Sequence, residues 1–397
     1  MHPIRFLERW FERNTPFIHR IRAVSLANAV QGLLCGGTLT LTHIGRGLPG
    51  PARTKNKIKR VDRLLGNTHL HAERVAIYRE LTHWLLAGIE RPVIIVDWSD
   101  CEPGHRWLML TAALALGGRA LTIYEEVHPL RRYNSPRTHR RFLSHLKVIL
   151  PEHCRPILVT DAGFRGPWFR DVEAYGWDWV GRVRNRIKIC LADTGTWRYT
   201  TAIYRSATHR IRHLGECWLS HKHPYRCRLY LVKVSRRGPG RPVKAHGVGT
   251  ITRRCRKLYN DPWLLATSLP HRPGAARRIM KLYAKRMQIE ETFRDLKGHR
   301  WGFGLELARC QSVERRQALL LIATFATLVL WLAGLAARAR RWEAHFQANT
   351  VRYRRVHSAV FLGREVLKHP HLDFKPIELQ WATQWLRDLL RTQAIHA

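Results

Sequence analysis

Three carboxylates in the sequence are candidate ligands for a divalent metal ion. Asp97 and Asp161 follow the short apolar runs VIIV and ILVT, which are typical of buried strands. Glu290 lies in the segment YAKRMQIEETFRDLK, residues 283–297, whose apolar residues recur at helical spacing. Mg²⁺ prefers oxygen ligands and an open side for water and phosphate, so these three carboxylates indicate metal-dependent phosphodiester chemistry.

The segment around Glu290 predicts one continuous amphipathic helix. At about 100° per residue, four polar residues fall within roughly 60° of one another. These residues are Tyr283, Arg286, Glu290 and Lys297. The apolar stripe beside them is formed by Leu282, Ile289, Phe293 and Leu296. A solvated flank on an ordinary surface helix has the same pattern, so the interpretation depends on the two aspartates as well.

The elements around the aspartates predict an α/β fold. Residues 93–100 predict a central strand with Asp97 at its carboxyl end, and residues 107–127 predict an antiparallel hairpin that turns at a Gly-Gly pair. Residues 157–160 predict a second strand that ends at Asp161, with a helix beginning near Pro167. Ligands gather at the carboxyl ends of strands, so the two aspartates are expected to meet there. A turn or helix-cap aspartate is the alternative for each.

A β-rich segment, residues 186–269, separates the second aspartate from the Glu-bearing helix. Its clearest predicted strands are residues 197–205, 225–235 and 262–270. The stretch SRRGPGRPVKAHG, residues 235–247, predicts a basic turn that would touch phosphate.

The charge balance indicates a polyanionic partner. The chain has 69 Lys and Arg against 29 Asp and Glu, a formal net charge of +40. Nucleic acid is the usual partner for such an excess, and an anionic membrane surface is the competing one.

Residues 1–88 read as helical and basic. Their clearest DNA-binding candidates are Lys55, Lys59 and Arg63, which recur at i, i+4 and i+8. The apolar residues of the same segment fall on another face, so one face would be buried and one would be basic. A solubilising lysine face is the alternative.

The eight cysteines include no CxxC pair, and the N-terminus lacks the apolar run of a signal peptide. We therefore expect reduced thiols in a cytoplasmic protein. One cluster leaves open a zinc site as an alternative to a histidine-rich strand and turn. It comprises Cys217, His221, His223 and Cys227.

One apolar run raises the question of a membrane span. Residues 319–337 are 19 in a row without a charge, bounded by arginines on both sides. That length fits a transmembrane helix, and it also fits a buried helix at the centre of a large domain. We expect the buried helix and no membrane partner.

The spacing Tyr-x2-Arg-x3-Glu-x6-Lys at residues 283–297 resembles the signature of a large family of bacterial insertion-sequence transposases of the DDE type. The segments VDWSD and VTDAGFRG resemble that family's two Asp-bearing strands. The resemblance extends from residue 93 through the apolar helix. It implies a ribonuclease-H-like mixed sheet flanked by helices, a β-rich insertion and a helical N-terminal DNA-binding domain.

The domain organisation that follows has four parts. We expect a DNA-binding domain at 1–88, a catalytic core at 89–185 and 270–340, an insertion at 186–269, and a helical C-terminal region at 341–397 that serves as a candidate dimer interface.

The resemblance also implies roles for individual residues. Asp97, Asp161 and Glu290 would bind Mg²⁺ or Mn²⁺, with Asp100 and Glu291 as the neighbouring carboxylates that could replace two of them. Phosphates near the scissile bond would be contacted by Tyr283, Arg286 and Lys297. Trp263 would stack on a flipped terminal base, unless it is a core tryptophan.

The implied reaction begins when water cleaves a phosphodiester at the end of the element. The freed 3′-hydroxyl group then attacks target DNA without ATP. Whether a DNA hairpin forms as an intermediate is left open. Partners would be double-stranded DNA, comprising terminal inverted repeats and target, and a second copy of the chain on paired ends. The place of action would be the bacterial cytoplasm, at the nucleoid. The rival hypotheses are a decayed, non-catalytic DNA-binding protein and a basic membrane-associated protein.

Overall fold

The computed structural model describes residues 3–184, 187–234, 261–348, 350–351, 353–369 and 371–395. The chain packs into two compact units with mixed α/β structure. One comprises Met1–Pro156 and Met287–Ala397, and the other comprises Ile157–Arg286. The four-part organisation expected from the sequence stays a prediction.

The first unit begins with five helices whose ends follow ordinary capping rules. They are α1 (Pro3–Asn14), α2 (Arg20–Gly36), α3 (Leu41–Arg46), α4 (Thr54–Leu65) and α5 (Thr68–Leu85). Thr40 caps α3 and Asn67 caps α5, each through a side-chain oxygen that accepts a backbone N–H of the first turn. Gly37 follows α2 at a φ of 70°, a left-handed conformation that favours glycine.

Three antiparallel strands and a helix follow. They are β1 (Val93–Asp100), β2 (Trp107–Ala115), β3 (Ala120–Pro129) and α6 (Pro136–Ile149). The predicted hairpin is confirmed, since β2 pairs with β3 and the turn contains Gly117 and Gly118, both at positive φ. The expected position of Asp97 at the end of its strand is wrong. Asp97 pairs with Thr111, and β2 continues the ladder three residues further to Asp100.

The described residues of the second unit form seven strands and three helices. They are β4 (Ile157–Thr160), α7 (Gly166–Ala174), β5 (Asp178–Val183), β6 (Lys188–Leu191), β7 (Trp197–Tyr199), α8 (Thr200–Tyr204), β8 (Arg212–Leu219), β9 (Tyr225–Val232), β10 (Trp263–Thr267) and α9 (Ala275–Ala284). The strand order is β4-β5-β10-β9-β8-β6-β7. Strands β4 and β5 are parallel, and each of the other neighbouring pairs in this order is antiparallel. The expected strand and following helix around Asp161 are confirmed.

One predicted strand of this unit is too long. The strand expected at residues 197–205 ends at Tyr199, because β6 offers only three residues for pairing and Thr200 begins a short helix. The predicted basic turn at residues 235–247 lies outside the described residues.

The continuous helix expected over residues 283–297 is also wrong. Helix α9 ends at Ala284, and α10 (Met287–Lys297) begins after a two-residue turn. The N–H groups of Lys285 and Arg286 bond to carbonyls three residues back, at 3.2 and 3.0 Å, so the turn tightens and interrupts the i→i−4 ladder. Of the four signature residues, only Glu290 and Lys297 share one α-helix.

The apolar run forms the central helix of the first unit. The remaining helices are α11 (Val313–Ala339), α12 (Glu343–Phe346), α13 (Ala359–Leu367) and α14 (Pro376–Ile395). Helix α11 is the one described helix long and apolar enough to span a membrane, and 94% of its most apolar window is buried inside the protein. It contacts α2, α5, β3, α13 and α14. Gly334 and Gly363 let α11 and α13 touch backbone to backbone, since a Cβ at either would overlap a carbonyl of the other helix. The run therefore has the packing of a core helix.

Candidate active site

Asp97 lies on β1 with a largely buried side chain. It is 9% exposed, and its Oδ1 accepts the N–H of Trp98 at 2.8 Å. Ser99 lies two residues further along the strand and so shares the face of Asp97. The Nζ of Lys297 donates to the Ser99 Oγ at 3.0 Å. The lysine of the signature therefore reaches the face of β1 that carries Asp97.

Glu290 lies on the same side of α10 as Lys297. It precedes Lys297 by seven residues in α10, which separates the two by about 20° around the helix axis. Helix α10 contacts β1, and Lys297 marks the side of α10 that faces Asp97 and Ser99. Glu290 and Asp97 are thus presented from two packed elements of one unit.

The opposite side of α10 fixes its position on the β2–β3 hairpin. Gln288 Oε1 accepts the N–H of Leu116 at 2.9 Å, and Thr292 Oγ1 accepts the N–H of Ala120 at 2.9 Å. Asp295 accepts a hydrogen bond from Arg119 Nε at 2.6 Å. Burial is the largest influence on Asp295 and raises the pKa of its carboxyl above the ordinary value, although Arg119 opposes it. These polar contacts set the rotation of α10, and with it the direction of Glu290.

The two alternative carboxylates have local partners of their own. Asp100 Oδ1 lies 2.7 Å from His105 Nδ1. Glu291 accepts a hydrogen bond from Arg294 at 2.7 Å and lies 3.5 Å from Arg119. The choice between these carboxylates and Asp97 or Glu290 stays a prediction.

Asp161 lies in the second unit, directly after β4. Its Oδ1 accepts the N–H of Gly163 at 2.8 Å, a turn geometry typical of aspartate. The three carboxylates are divided between the two units, so their convergence stays a prediction. Within the described residues, no three His, Cys, Asp or Glu side chains form a group that would hold a metal ion.

Tyr283 and Trp263 form a pair in the second unit. Their ring centroids lie 4.9 Å apart with the planes at 76°, an edge-to-face contact. Tyr283 is buried and Trp263 is partly exposed at the start of β10. Tyr283 therefore packs against the tryptophan, which remains partly exposed. The DNA contacts predicted for Tyr283, Trp263 and Arg286 stay predictions.

Helix α4 has the amphipathic geometry expected of the basic N-terminal segment. Val61, Leu64 and Leu65 are buried. The three predicted DNA-binding residues, Lys55, Lys59 and Arg63, are exposed. The side chains are therefore available to a phosphate backbone, and that role stays a prediction.

The zinc alternative has no support in the part of the chain that the structure describes. Cys217 and Cys227 face each other across β8 and β9 with their sulfurs 3.4 Å apart. His221 instead packs edge to face against Trp197, at 5.0 Å between ring centroids. The seven cysteines among the described residues are free thiols, and Cys255 lies outside those residues.

Sequence reasoning missed a buried carboxyl in the same row as Asp97. Asp97 on β1 pairs with Thr111 on β2, and Thr111 in turn pairs with Glu125 on β3. Glu125 Oε1 accepts hydrogen bonds from Tyr78 and Thr324, each at 3.2 Å. Burial raises the pKa of Glu125 to about 7. The sequence feature that could have revealed Glu125 is the pair of adjacent carboxylates inside the apolar strand ALTIYEEV.

The second carboxylate of that strand faces the other side. Glu126 accepts hydrogen bonds from His128 at 2.8 Å, His145 at 2.7 Å and Tyr124 at 2.6 Å. Burial alone would raise the pKa of Glu126, but these donors hold it well below its usual range. The cluster fixes β3 against α6, which carries His145.

A family model described as the transposase DDE domain matches residues 89–329. No curated protein matches the chain. A solved structure of the piggyBac transposase synaptic complex with hairpin DNA is similar at 10% identity and a TM-score of 0.37, covering 98% of this chain and 82% of that one.

Proposed function

The chain belongs to the transposase DDE-domain family, and from that premise we propose that it cuts DNA at the ends of an insertion sequence and joins the freed 3′-hydroxyl group to target DNA. The proposal includes membership of the subfamily with the Tyr-Arg-Glu-Lys signature. The observation that carries it is the hydrogen bond from Lys297 to Ser99, because it aligns the Glu290 side of α10 with the Asp97 face of β1. A basic chain with two such carboxylates on packed elements fits phosphodiester chemistry.

The reaction would proceed in two displacements at phosphorus. In the first, a water oxygen bonds to phosphorus, the bond to the 3′-oxygen breaks, and the 3′-oxygen takes up a proton. In the second, that 3′-hydroxyl group loses its proton, attacks a target phosphodiester and releases a target 3′-hydroxyl group. One phosphodiester bond is exchanged for another in the second step, so no nucleotide cofactor is needed.

Mg²⁺ or Mn²⁺ would be held by Asp97 and Glu290, together with Asp161. The donor set fits, because carboxylate oxygens are the ligands that these ions prefer and because Asp97 is largely buried. A bound ion would supply Lewis-acid polarisation of the phosphate and would lower the pKa of a bound water molecule. The protein's part is to keep both carboxylates fixed, which the polar contacts of α10 with the hairpin support.

The remaining signature residues would position DNA. Lys297 is held on Ser99 beside the acidic face, where it would contact a phosphate oxygen near the scissile bond. Arg286 and Tyr283 would bind phosphates, and Trp263 would stack on a flipped terminal base. The exposed basic residues of α4 would bind the duplex further from the cut.

Two further parts of the proposal concern assembly and location. Cutting two ends of one element calls for two active sites, so we propose a homodimer on paired ends with residues 341–397 as interface candidates. The protein would act on double-stranded DNA in the cytoplasm, at the nucleoid.

The test is cleavage of a labelled duplex that carries the element's end, with Mg²⁺ or Mn²⁺. Glu290→Gln should lower the cleavage rate by about 10²-fold or more, because a ligand of the reacting centre is lost while shape is kept. Glu291→Gln is the matched control, since it changes the neighbouring carboxylate, which already pairs with Arg294 and Arg119. DNA binding should persist in both variants.

Two results would contradict the assignment. Equal cleavage by wild type and Glu290→Gln would remove Glu290 from the site. Wild type that binds the ends of its own element without cutting them would indicate the decayed, non-catalytic DNA-binding protein.

A further inference from the structure

The second unit contains a cavity that none of the signature residues lines. Its volume is about 440 Å³, within the range of small-ligand sites. The start of α7 forms one wall, β6 and β7 form another, and the turn between β8 and β9 forms a third. Arg165, one of the lining residues, follows Asp161 by four residues in the same loop. The loop that carries Asp161 thus also contributes a residue to the cavity lining.

The lining of this cavity is cationic. It includes Arg165, Arg170, Arg182 and Lys188 together with two histidines, and no described lining residue is acidic. A cleft lined by one sign of charge concentrates ions of the opposite sign. Its ligand should therefore carry negative charge.

Two of the four cationic side chains are held in the cavity walls by hydrogen bonds to backbone carbonyls, and the other two are available to a ligand. Arg170 donates to the carbonyl of His223 at 3.0 Å, and Arg182 donates to the carbonyl of Asp261 at 2.9 Å. Arg165 is exposed and has no ion pair with a described residue. Lys188 is exposed as well, at the edge of β6. Both can reach a phosphate without breaking an existing ion pair.

An accessible aromatic ring completes the site. Tyr199 is 47% exposed on β7, and the Lys188 Nζ lies 5.5 Å from its ring centroid. Register pairs the two residues directly across β6 and β7. Phe164 and Leu219 are buried and give the cavity an apolar base. A flat apolar group and an anion are thus accommodated side by side, which is the chemistry of a nucleotide.

We propose that this cavity binds one unstacked nucleotide of a DNA strand, with its base on Tyr199 and its phosphate between Arg165 and Lys188. The inference rests on the proposed function in one respect, since the strand would be the one cut beside Asp161. The site is separate from Trp263 and from the other predicted DNA contacts.

Photocrosslinking tests the site on the unaltered protein. A single-stranded oligonucleotide with one 5-iodouracil base is bound without metal and irradiated, and the crosslinked peptide is identified by mass spectrometry. A crosslink at Tyr199 is expected, because stacked iodouracil reacts with the aromatic ring beneath it. Crosslinks at other aromatic residues with none at Tyr199 would overturn the proposal.

Binding measurements give an independent readout. Tyr199→Ala should weaken binding of the same oligonucleotide about 5- to 100-fold, and Tyr199→Phe should restore it, because base stacking needs the ring and not the hydroxyl group. The matched control is Tyr353→Ala, which removes a tyrosine that is 83% exposed in the other unit. Equal weakening by Tyr199→Ala and Tyr353→Ala would contradict the assignment.

Further measurements identify the class of ligand and distinguish this proposal from the proposed function. Arg165→Ala and Lys188→Ala should each lower the salt dependence of binding by about 0.7 in the log–log slope, the value for one phosphate of a single strand. Free dTMP should compete far less well than the oligonucleotide, and equal competition would indicate a mononucleotide site instead. Loss of cleavage in Glu290→Gln with the Tyr199 crosslink retained tests the catalytic assignment alone.

Discussion

The buried carboxyl of Glu125 should make the protein less stable as the pH rises from acid to neutral. Its side chain is 3% exposed in β3 and is surrounded by Arg74 and Tyr78 from α5 and Thr324 from α11. Burial raises its pKa from an ordinary 4.5 to about 7, although Tyr78 and Thr324 donate to it and Arg74 lies close by. The folded protein therefore keeps Glu125 protonated under conditions in which the unfolded chain has already lost that proton.

The size of the effect follows from the shift in pKa. A change from 4.5 to about 7 is about 2.5 pKa units, and at about 1.4 kcal/mol per unit this is about 3 kcal/mol. The contribution is fully present below pH 4.5, because both states are then protonated, and it is lost as the pH rises to about 7. Glu125→Gln has no proton to lose, so its stability relative to wild type should rise by about 3 kcal/mol between acid and slightly alkaline pH.

Urea unfolding followed by tryptophan fluorescence measures this difference at several pH values. The control is Glu152→Gln, an exposed glutamate of the same unit, whose stability relative to wild type should not follow this curve. A pH-independent difference for Glu125→Gln, or one that falls as the pH rises, would refute the reasoning, because Glu125 would then be charged in the folded protein.

Three further predictions concern other parts of the chain. Burial lowers the pKa of His139 from 6.5 to about 4, and its Nε2 accepts the Trp98 indole N–H, so wild type should lose about 3 kcal/mol as the pH falls through this range. Urea unfolding of His139→Gln should lack that loss. Gly334→Ala should destabilise by about 3 kcal/mol or more, since a Cβ would overlap the Ala359 carbonyl, and thermal unfolding would measure it. Lys59→Ala should weaken binding to all duplexes alike and lower the log–log salt slope by about 0.9 in a titration.

The elements that the sequence predicted well are those fixed by local chemistry. Gly117 and Gly118 allow the positive φ values that the hairpin turn requires, and the four-residue apolar run before Asp161 forms the buried strand that its length and β-branched residues predict. The basic face of α4 follows from residue spacing alone. In each case the signal and the structure involve neighbours a few residues apart, so no knowledge of the tertiary fold was needed.

The elements that the sequence did not predict depend on distant partners. Asp97 appeared to end its strand, but β2 extends the ladder to Asp100, and the register of β2 is not written in the sequence of β1. Glu125 and Glu126 could not be singled out from sequence, because their hydrogen-bond donors come from α5, α6 and α11. The apolar spacing of residues 283–297 likewise predicts one helix, and the interruption at Lys285 arises from a tightened turn.

That interruption changes how the signature should be understood. Its spacing looks like one helix face, yet the structure resolves it into two local arrangements: Tyr283 against Trp263 in one unit, and Glu290 with Lys297 against the Asp97 face in the other. Each arrangement is maintained by contacts within its own unit, so each can be altered separately. Substitution of Trp263 should then change how strongly DNA ends are held, while substitution of Glu290 should change how fast they are cut. One short segment of chain thus serves both arrangements, and a continuous helix is not required for that.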